Sequence, residues 1–157
     1  MGSSADRVAL VQAGLERLAE QRGDITQAVL DRYYAEQAGA RESFLHHGEG
    51  DLHGLEARMV SESIYLLLRW VEEPAAVRID QASTIVHHND TLKVGPRWYM
   101  GLIDAVLAIV LETVPTDATH ERETWQGIRS EIAAFIDGLR SEFLFAIDPP
   151  GFVHNDD

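Results

Sequence analysis

Two adjacent histidines, His87 and His88, stand at the end of a predicted helix. A neutral imidazole is a common metal ligand and can serve as the axial ligand of a prosthetic group. A short loop with a Gly-Pro pair follows, and Trp98 then opens a long apolar helix. A helix end with such a ligand, a tight loop and a new helix can form one wall of a buried pocket. Segment 87–101 is therefore the leading candidate for a functional site.

The two histidines cannot share one role, because neighbouring residues on an α-helix point about 100° apart. We expect His87 to face the solvent. For His88 two interpretations are open. It is either an axial ligand or a surface histidine whose positive charge complements the dipole at a helix C-terminus.

Composition narrows the class of protein. The chain has 157 residues, 45% of them apolar, which suits a single domain with a real core. It has no cysteine, which excludes disulfides, zinc–thiolate and iron–sulfur sites. The formal net charge of -13 would repel a nucleic-acid backbone or an anionic membrane surface. We expect a cytoplasmic protein with neither partner.

Apolar residues recur at helical spacing along the chain, and no stretch shows the alternation of a strand. The pattern predicts an all-α domain of six or seven helices over residues 1–148, with a polar tail at 149–157. The predicted helices run from a capping box at Ser3 to Gly23, from Asp24 to Gly39, from Leu52 to Pro74, from Ala75 to about His88, from Trp98 to before Pro115, and through Trp125 to Ile147. Motifs of nucleotide enzymes, serine hydrolases and zinc peptidases are missing from the sequence, so we expect no enzymatic activity.

Residues 46–54 read as a polar, glycine-rich loop. Five of its side chains are metal donors: His46, His47, Glu49, Asp51 and His53. Imidazoles and carboxylates suit a divalent metal, so a metal site is one hypothesis for this loop. A solvated, mobile loop is the other, and glycine-interrupted polar segments favour it.

The run VGPRWYMG at 94–101, with Leu92 before it, resembles the corresponding segment of globin-coupled sensors and protoglobins. In those proteins a proximal histidine precedes an aliphatic run and then a Pro-basic-Trp-Tyr motif. Leu30 to Tyr34 is similar to their second helix, and Ala40 to Phe44 to the corner that follows. The resemblance covers about residues 24–143. It implies a globin-like fold that binds haem, with Tyr34 as the distal hydroxyl and with Phe44, Val94 and Trp98 against the porphyrin.

One departure from the family matters most. Without gaps, the proximal-histidine position falls on Asn89, and Lys93 replaces a family glycine. An amide is a poor ligand for haem iron. Either one extra loop residue lets His88 reach the iron, or the fold has lost iron coordination. Without haem, Tyr34 is read as a core tyrosine, and Phe44, Trp98 and Tyr99 as packing residues.

The resemblance implies a sensory domain. The leading hypothesis is haem binding with His88 as the proximal ligand, for sensing or carrying oxygen, NO or CO. The alternative is a haem-free regulatory or interaction module that holds an apolar molecule, such as a fatty acid, or a protein partner. The resemblance also implies a homodimer through the helix from Trp98 and the C-terminal helix. A separate signalling partner, or an output domain in a longer chain, would receive the signal.

Overall fold

The computed structural model describes residues 3–90 and 95–139, and in these ranges it is all-helical. The all-α prediction is confirmed, while the globin-like arrangement stays a prediction. The described ranges hold seven helices: α1 (Ser4–Arg22), α2 (Thr26–Glu36), α3 (Ala40–Gly48), α4 (Leu52–Glu72), α5 (Pro74–Asp90), α6 (Pro96–Glu112) and α7 (Thr119–Leu139). No helix in the described ranges has the length and apolar character needed to cross a membrane.

Helix α1 begins with the predicted capping box. The Ser3 hydroxyl accepts from the Asp6 backbone N–H, and the Asp6 carboxylate accepts from the Ser3 N–H. Two backbone donors that helix geometry leaves unpaired are thereby satisfied. The helix ends at Gly23, where the prediction placed its end.

The turn between α2 and α3 differs from the prediction. Gly39 was expected to stop α2, but α2 ends at Glu36 and Gly39 is the residue that caps the start of α3. Its φ of 87° lies in the left-handed region, which glycine adopts without a steric cost. A Cβ atom there would also lie only 3.0 Å from Cζ2 of Trp98, so the close packing of the indole on this turn favours glycine as well.

Most of the predicted loop 46–54 is helical. Helix α3 continues through Gly48, and α4 starts at Leu52, so only three residues connect them. The Asp51 carboxylate accepts from the Gly54 N–H at 3.1 Å and caps α4. The loop prediction was wrong because glycine and polar residues also suit helix ends, where capping and not apolar periodicity decides the structure.

Two prolines open helices. The predicted stop at Pro74 is confirmed, since α4 ends at Glu72, and Pro74 is also the first residue of α5. Pro96 likewise opens α6 two residues before Trp98. Proline suits the first helical turn because its missing N–H would have no partner there.

Helix α6 lies at the centre of the core and packs against α2, α4 and α7. Its side chains are buried on most faces, as the sequence predicted; they include Leu102, Ile103, Val106, Ile109 and Val110. Helix α7 adds a fully buried stripe of Trp125, Ile128 and Ile132. The expected continuation of the last helix through Phe143 and Ile147, its break at 148–151 and the tail lie outside the described residues.

Candidate functional site

A cavity of about 120 Å³ lies where α2 to α6 converge, next to the segment that the sequence singled out. Helix α4 forms one wall with Met59, Glu62, Ser63 and Leu66. Helix α5 forms the facing wall with Gln81, Thr84 and His88, and the first turns of α6 close it with Trp98, Tyr99, Leu102 and Ile103. Tyr33 and Phe44 complete the lining from α2 and α3. We call this space the His88 cavity.

The imidazole of His88 is held in one orientation. Its Nδ1 lies 2.8 Å from the backbone carbonyl oxygen of Thr84, one helical turn earlier. A carbonyl only accepts, so Nδ1 carries the proton and Nε2 of the neutral ring keeps its lone pair. The ring also packs edge-on against Tyr99, with centroids 5.6 Å apart at 74°. Nε2 is therefore the atom that the neutral ring has left for a ligand.

The two neighbours of His88 lie elsewhere. His87 is exposed, and Asn89 is 8% exposed without lining the cavity. The position that aligns with the family's proximal histidine is thus turned away, and the preceding residue takes its place on the cavity wall. Val94, also expected in the pocket, lies outside the described residues.

Tyr34 is not among the residues that line the His88 cavity. Its hydroxyl donates to Oε2 of Glu56 at 2.7 Å, outside the His88 cavity, and Glu56 is only 6% exposed. Burial raises the pKa of the Tyr34 hydroxyl, and the hydrogen bond and charge of Glu56 raise it further. Tyr33 lines the cavity instead, and its hydroxyl donates to the Trp98 carbonyl at 3.1 Å. One residue of sequence is about 100° of helix, which separates the two roles.

Phe44 and Trp98 both lie on the cavity wall. The indole N–H of Trp98 is buried and has no hydrogen-bond partner among the described residues. Such orphaned donors are rare in folded proteins, and an absent ligand or water is one ordinary reason for them.

The polar side chains that line the cavity share a pattern that the sequence did not reveal. Each of the four lining hydroxyls already donates its proton to the protein. Ser63 donates to the Met59 carbonyl and Thr84 to the Asp80 carbonyl, each at 2.9 Å, Tyr33 donates to Trp98, and Tyr99 donates to the Gln81 side chain. Glu62 faces the same space, and its negative charge adds to burial in raising the pKa of the Tyr99 hydroxyl.

Sequence reasoning missed Glu62 and Gln81 because polar residues on helices usually face solvent. One signal was present. Glu62 and Ser63 share a helical stripe with Met59 and Leu66, at spacings of three and four residues. A carboxylate next to apolar residues on one helix face indicates a cavity wall that contacts water.

The metal donors of segment 46–53 are not brought together in the structure. The described residues contain no group of three or more His, Asp or Glu side chains placed to hold a metal ion. Nδ1 of His47 instead donates to the Ser43 carbonyl at 2.8 Å, and Nδ1 of His53 lies 3.2 Å from Oε1 of Glu56. Helix formation in α3 and α4 points these side chains to separate partners.

A haem site requires an axial ligand and enough room for the porphyrin, and the His88 cavity provides only the first. The His88 imidazole, fixed through Nδ1, is a suitable axial donor, since metal-bound histidines usually donate their other N–H to a carbonyl or carboxylate. The room is insufficient, because pockets for organic ligands occupy roughly 300–1,000 Å³ and this cavity holds about 120 Å³. A porphyrin does not fit the cavity in this conformation.

Comparisons of the chain with protein-family models, with curated proteins and with solved structures found no match. The site must therefore be interpreted from its own geometry.

Proposed function

We propose that this chain is a globin-like sensory domain that binds a small ligand at Nε2 of His88. The fixed imidazole carries the proposal. Its Nδ1–H is committed to the Thr84 carbonyl at 2.8 Å, so the ring presents a single acceptor atom from the cavity wall. A ring held on both sides, by that hydrogen bond and by Tyr99, loses little freedom when a ligand binds.

The position of the cavity supports a sensory role. It adjoins the junction of α5 and α6, and α6 is the central helix of the core. A ligand that binds His88 and Tyr99 contacts both helices at once. It would favour whichever arrangement of α5 and α6 gives it better contacts, which is how a ligand shifts a conformational equilibrium.

Haem is the second candidate for the occupant, and the His88 geometry together with the family resemblance favours it. Bound haem would supply an iron atom that takes up oxygen, NO or CO. The cavity would first have to widen severalfold, and the volume therefore favours the haem-free interpretation in the folded state.

Nuclear magnetic resonance of the His88 ring nitrogens, together with visible spectroscopy, tests the proposal. The chain is titrated with hemin and with a panel of small neutral, anionic and cationic molecules. We expect at least one of them to shift the Nε2 resonance of His88, and its binding to be lost in His88→Ala and kept in His87→Ala. A Soret band that depends on His88 identifies haem as the occupant. If neither hemin nor any panel member binds, the proposed function is wrong.

We also propose that the domain acts as a homodimer through α6 and α7 and passes its signal to a separate partner. Half-buried Ala108 on α6, and Ala133 and exposed Ala134 on α7, support a contact between copies because small side chains let helices approach closely, and half-buried Leu111 on α6 adds apolar surface. Light scattering decides the matter. A dimer that Ala108→Arg converts to a monomer supports this interface, and a monomeric wild-type protein contradicts it.

A further inference from the structure

The hydrogen-bonding groups of the His88 cavity are nearly all acceptors. The four hydroxyls of the described lining donate their protons to protein oxygens, but each hydroxyl oxygen can still accept a hydrogen bond. Nε2 of His88 and the carboxylate of Glu62 add two stronger acceptors. Among the described lining residues, two retain N–H donors: the amide of Gln81, whose oxygen accepts from Tyr99, and the unpaired indole of Trp98. A ligand that fills this space must therefore supply most of the donors itself.

Charge points the same way. Glu62, an exposed residue at the edge of the cavity, is the one acidic residue of the described lining, which includes no lysine or arginine. The chain as a whole carries a formal charge of -13, which raises the local concentration of cations and lowers that of anions. An anionic guest would find no lysine or arginine to pair with among the lining residues that the structure describes.

Aromatic rings surround the cavity from three helices: Tyr33 from α2, Phe44 from α3, and Trp98 and Tyr99 from α6. The negative face of an aromatic ring attracts a cation within about 6 Å, and desolvated sites gain most. Aromatic walls with one carboxylate are suited to a positively charged organic group. For an inorganic cation, by contrast, the described residues provide no group of three or more His, Asp or Glu side chains.

The volume limits the size of the guest. A cavity of about 150 Å³ is known to hold a benzene molecule, so the about 120 Å³ here admits a molecule of a few non-hydrogen atoms. Fatty acids and porphyrins are too large for the cavity as folded.

We propose that the ligand of the His88 cavity is a small protonated primary amine, whose ammonium N–H groups donate to Nε2 of His88 and to the carboxylate of Glu62. This inference rests on the proposed function, because it names the ligand class of the same site. The aromatic rings then hold the alkyl part and contribute cation–π attraction.

Isothermal titration calorimetry of the full chain tests the class with matched probes in physiological salt. Propylammonium carries the charge and the N–H donors, butan-1-ol is a neutral analogue, butyrate is an anion, and tetramethylammonium is a cation without N–H groups. We expect propylammonium to bind best. Loss of its charged hydrogen bonds should weaken tetramethylammonium about tenfold or more. Butan-1-ol or butyrate binding as tightly as propylammonium would overturn the cation assignment, and equal binding of tetramethylammonium would overturn the N–H contacts.

The matched variants are Glu62→Gln in the cavity and Glu20→Gln on the exposed face of α1. Both remove one negative charge, so they separate a local contact from the general attraction of an acidic protein for cations. Glu62→Gln should weaken propylammonium about tenfold or more, and Glu20→Gln should leave it unchanged. Equal effects of the two variants would overturn the role of Glu62.

The titration with hemin separates this inference from the proposed function. Hemin binding at His88 without amine binding overturns the proposed ligand class but supports His88 as the binding site. Absence of binding by every probe overturns both.

Discussion

The α1–α7 contact and the His88 cavity treat polar groups in opposite ways. Along the α1–α7 contact, two glutamates of α7 each accept from an arginine of α1 and from a buried tryptophan. Glu131 accepts from Arg7 at 3.1 Å and Trp70 at 3.0 Å, and Glu121 accepts from both terminal nitrogens of Arg17 and from Trp125 at 3.1 Å. These partly buried carboxylates are tolerated because the protein supplies their donors, although Nε of Arg17 is buried without a hydrogen-bond partner among the described residues.

In the His88 cavity the acceptors outnumber the donors. His88 and Glu62 line a space in which the hydroxyl protons of the described lining residues are already donated to the protein. The contrast separates polar groups that stabilise the fold from polar groups that are available to bind a ligand. Substitutions on the two sides should therefore affect different measurements.

The largest expected effect is the loss of Trp125 from the α1–α7 contact. Trp125 is fully buried, and Gly14 of α1 packs so closely on it that a Cβ would lie 2.9 Å from Cζ2 of the ring. Trp125→Ala should lower the free energy of unfolding by about 3–5 kcal/mol, measured by urea denaturation. The control, His87→Ala at an exposed position, should stay within about 0.5 kcal/mol. Similar losses in both variants would contradict the packing described for α1.

Acid should weaken the α1–α7 contact next. Burial alone would raise the pKa of Glu121, but hydrogen bonds from Arg17 and Trp125 and the charge of Arg17 hold it below the ordinary value of 4.5. A carboxyl with a lowered pKa in the folded state stabilises the protein above the unfolded pKa, and this stabilisation is lost as the pH falls through the folded pKa. The urea concentration at the unfolding midpoint of the wild type should therefore decrease when the pH is lowered below 4.5, and Glu121→Gln should show a smaller decrease. An identical pH profile in the variant would contradict the ion pair's role.

The sequence predicted the helices far better than the site. Apolar spacing in α4, α6 and α7 reports burial directly, because one stripe of each helix must face the core. Polar ends are different. The sequence predicts that one helix stops at Pro74 and another ends at Gly39. In the structure Pro74 is also the first residue of α5 and Gly39 caps the start of α3, because the same residue types occur at both kinds of helix end.

The site depended on rotations that one sequence does not fix. The resemblance placed a hydroxyl at Tyr34 and a ligand position at Asn89, whereas the cavity is lined by Tyr33 and His88. Tyr33 is one residue before Tyr34 on α2, and His88, the expected ligand, is one residue before the aligned position on α5. The gapless alignment could not supply these positions, because the packing of neighbouring helices sets which residue of a pair faces inward.

Tyr34→Phe tests this difference between the two tyrosines. The substitution leaves the buried Glu56 carboxylate without the donor that lies at 2.7 Å, which should cost about 1–3 kcal/mol of stability. Binding at the His88 cavity should be unchanged, since Tyr34 does not line it. Calorimetric titration with propylammonium and urea unfolding of the same samples measure both. Loss of binding without loss of stability would return Tyr34 to the ligand site.

The smallest expected effect on stability is that of Glu62→Gln, and its smallness is informative. Glu62 is an exposed residue at the edge of the cavity and forms no hydrogen bond within the described ranges, so its substitution should change the free energy of unfolding by no more than about 0.5 kcal/mol. Glu121→Gln removes the same charge from the α1–α7 contact and should destabilise more, because Arg17 and Trp125 lose a charged acceptor. Urea unfolding at neutral pH compares the two. If Glu62→Gln destabilised as much as Glu121→Gln, Glu62 would belong to the fold, and the division between a satisfied contact and an unsatisfied cavity would not hold.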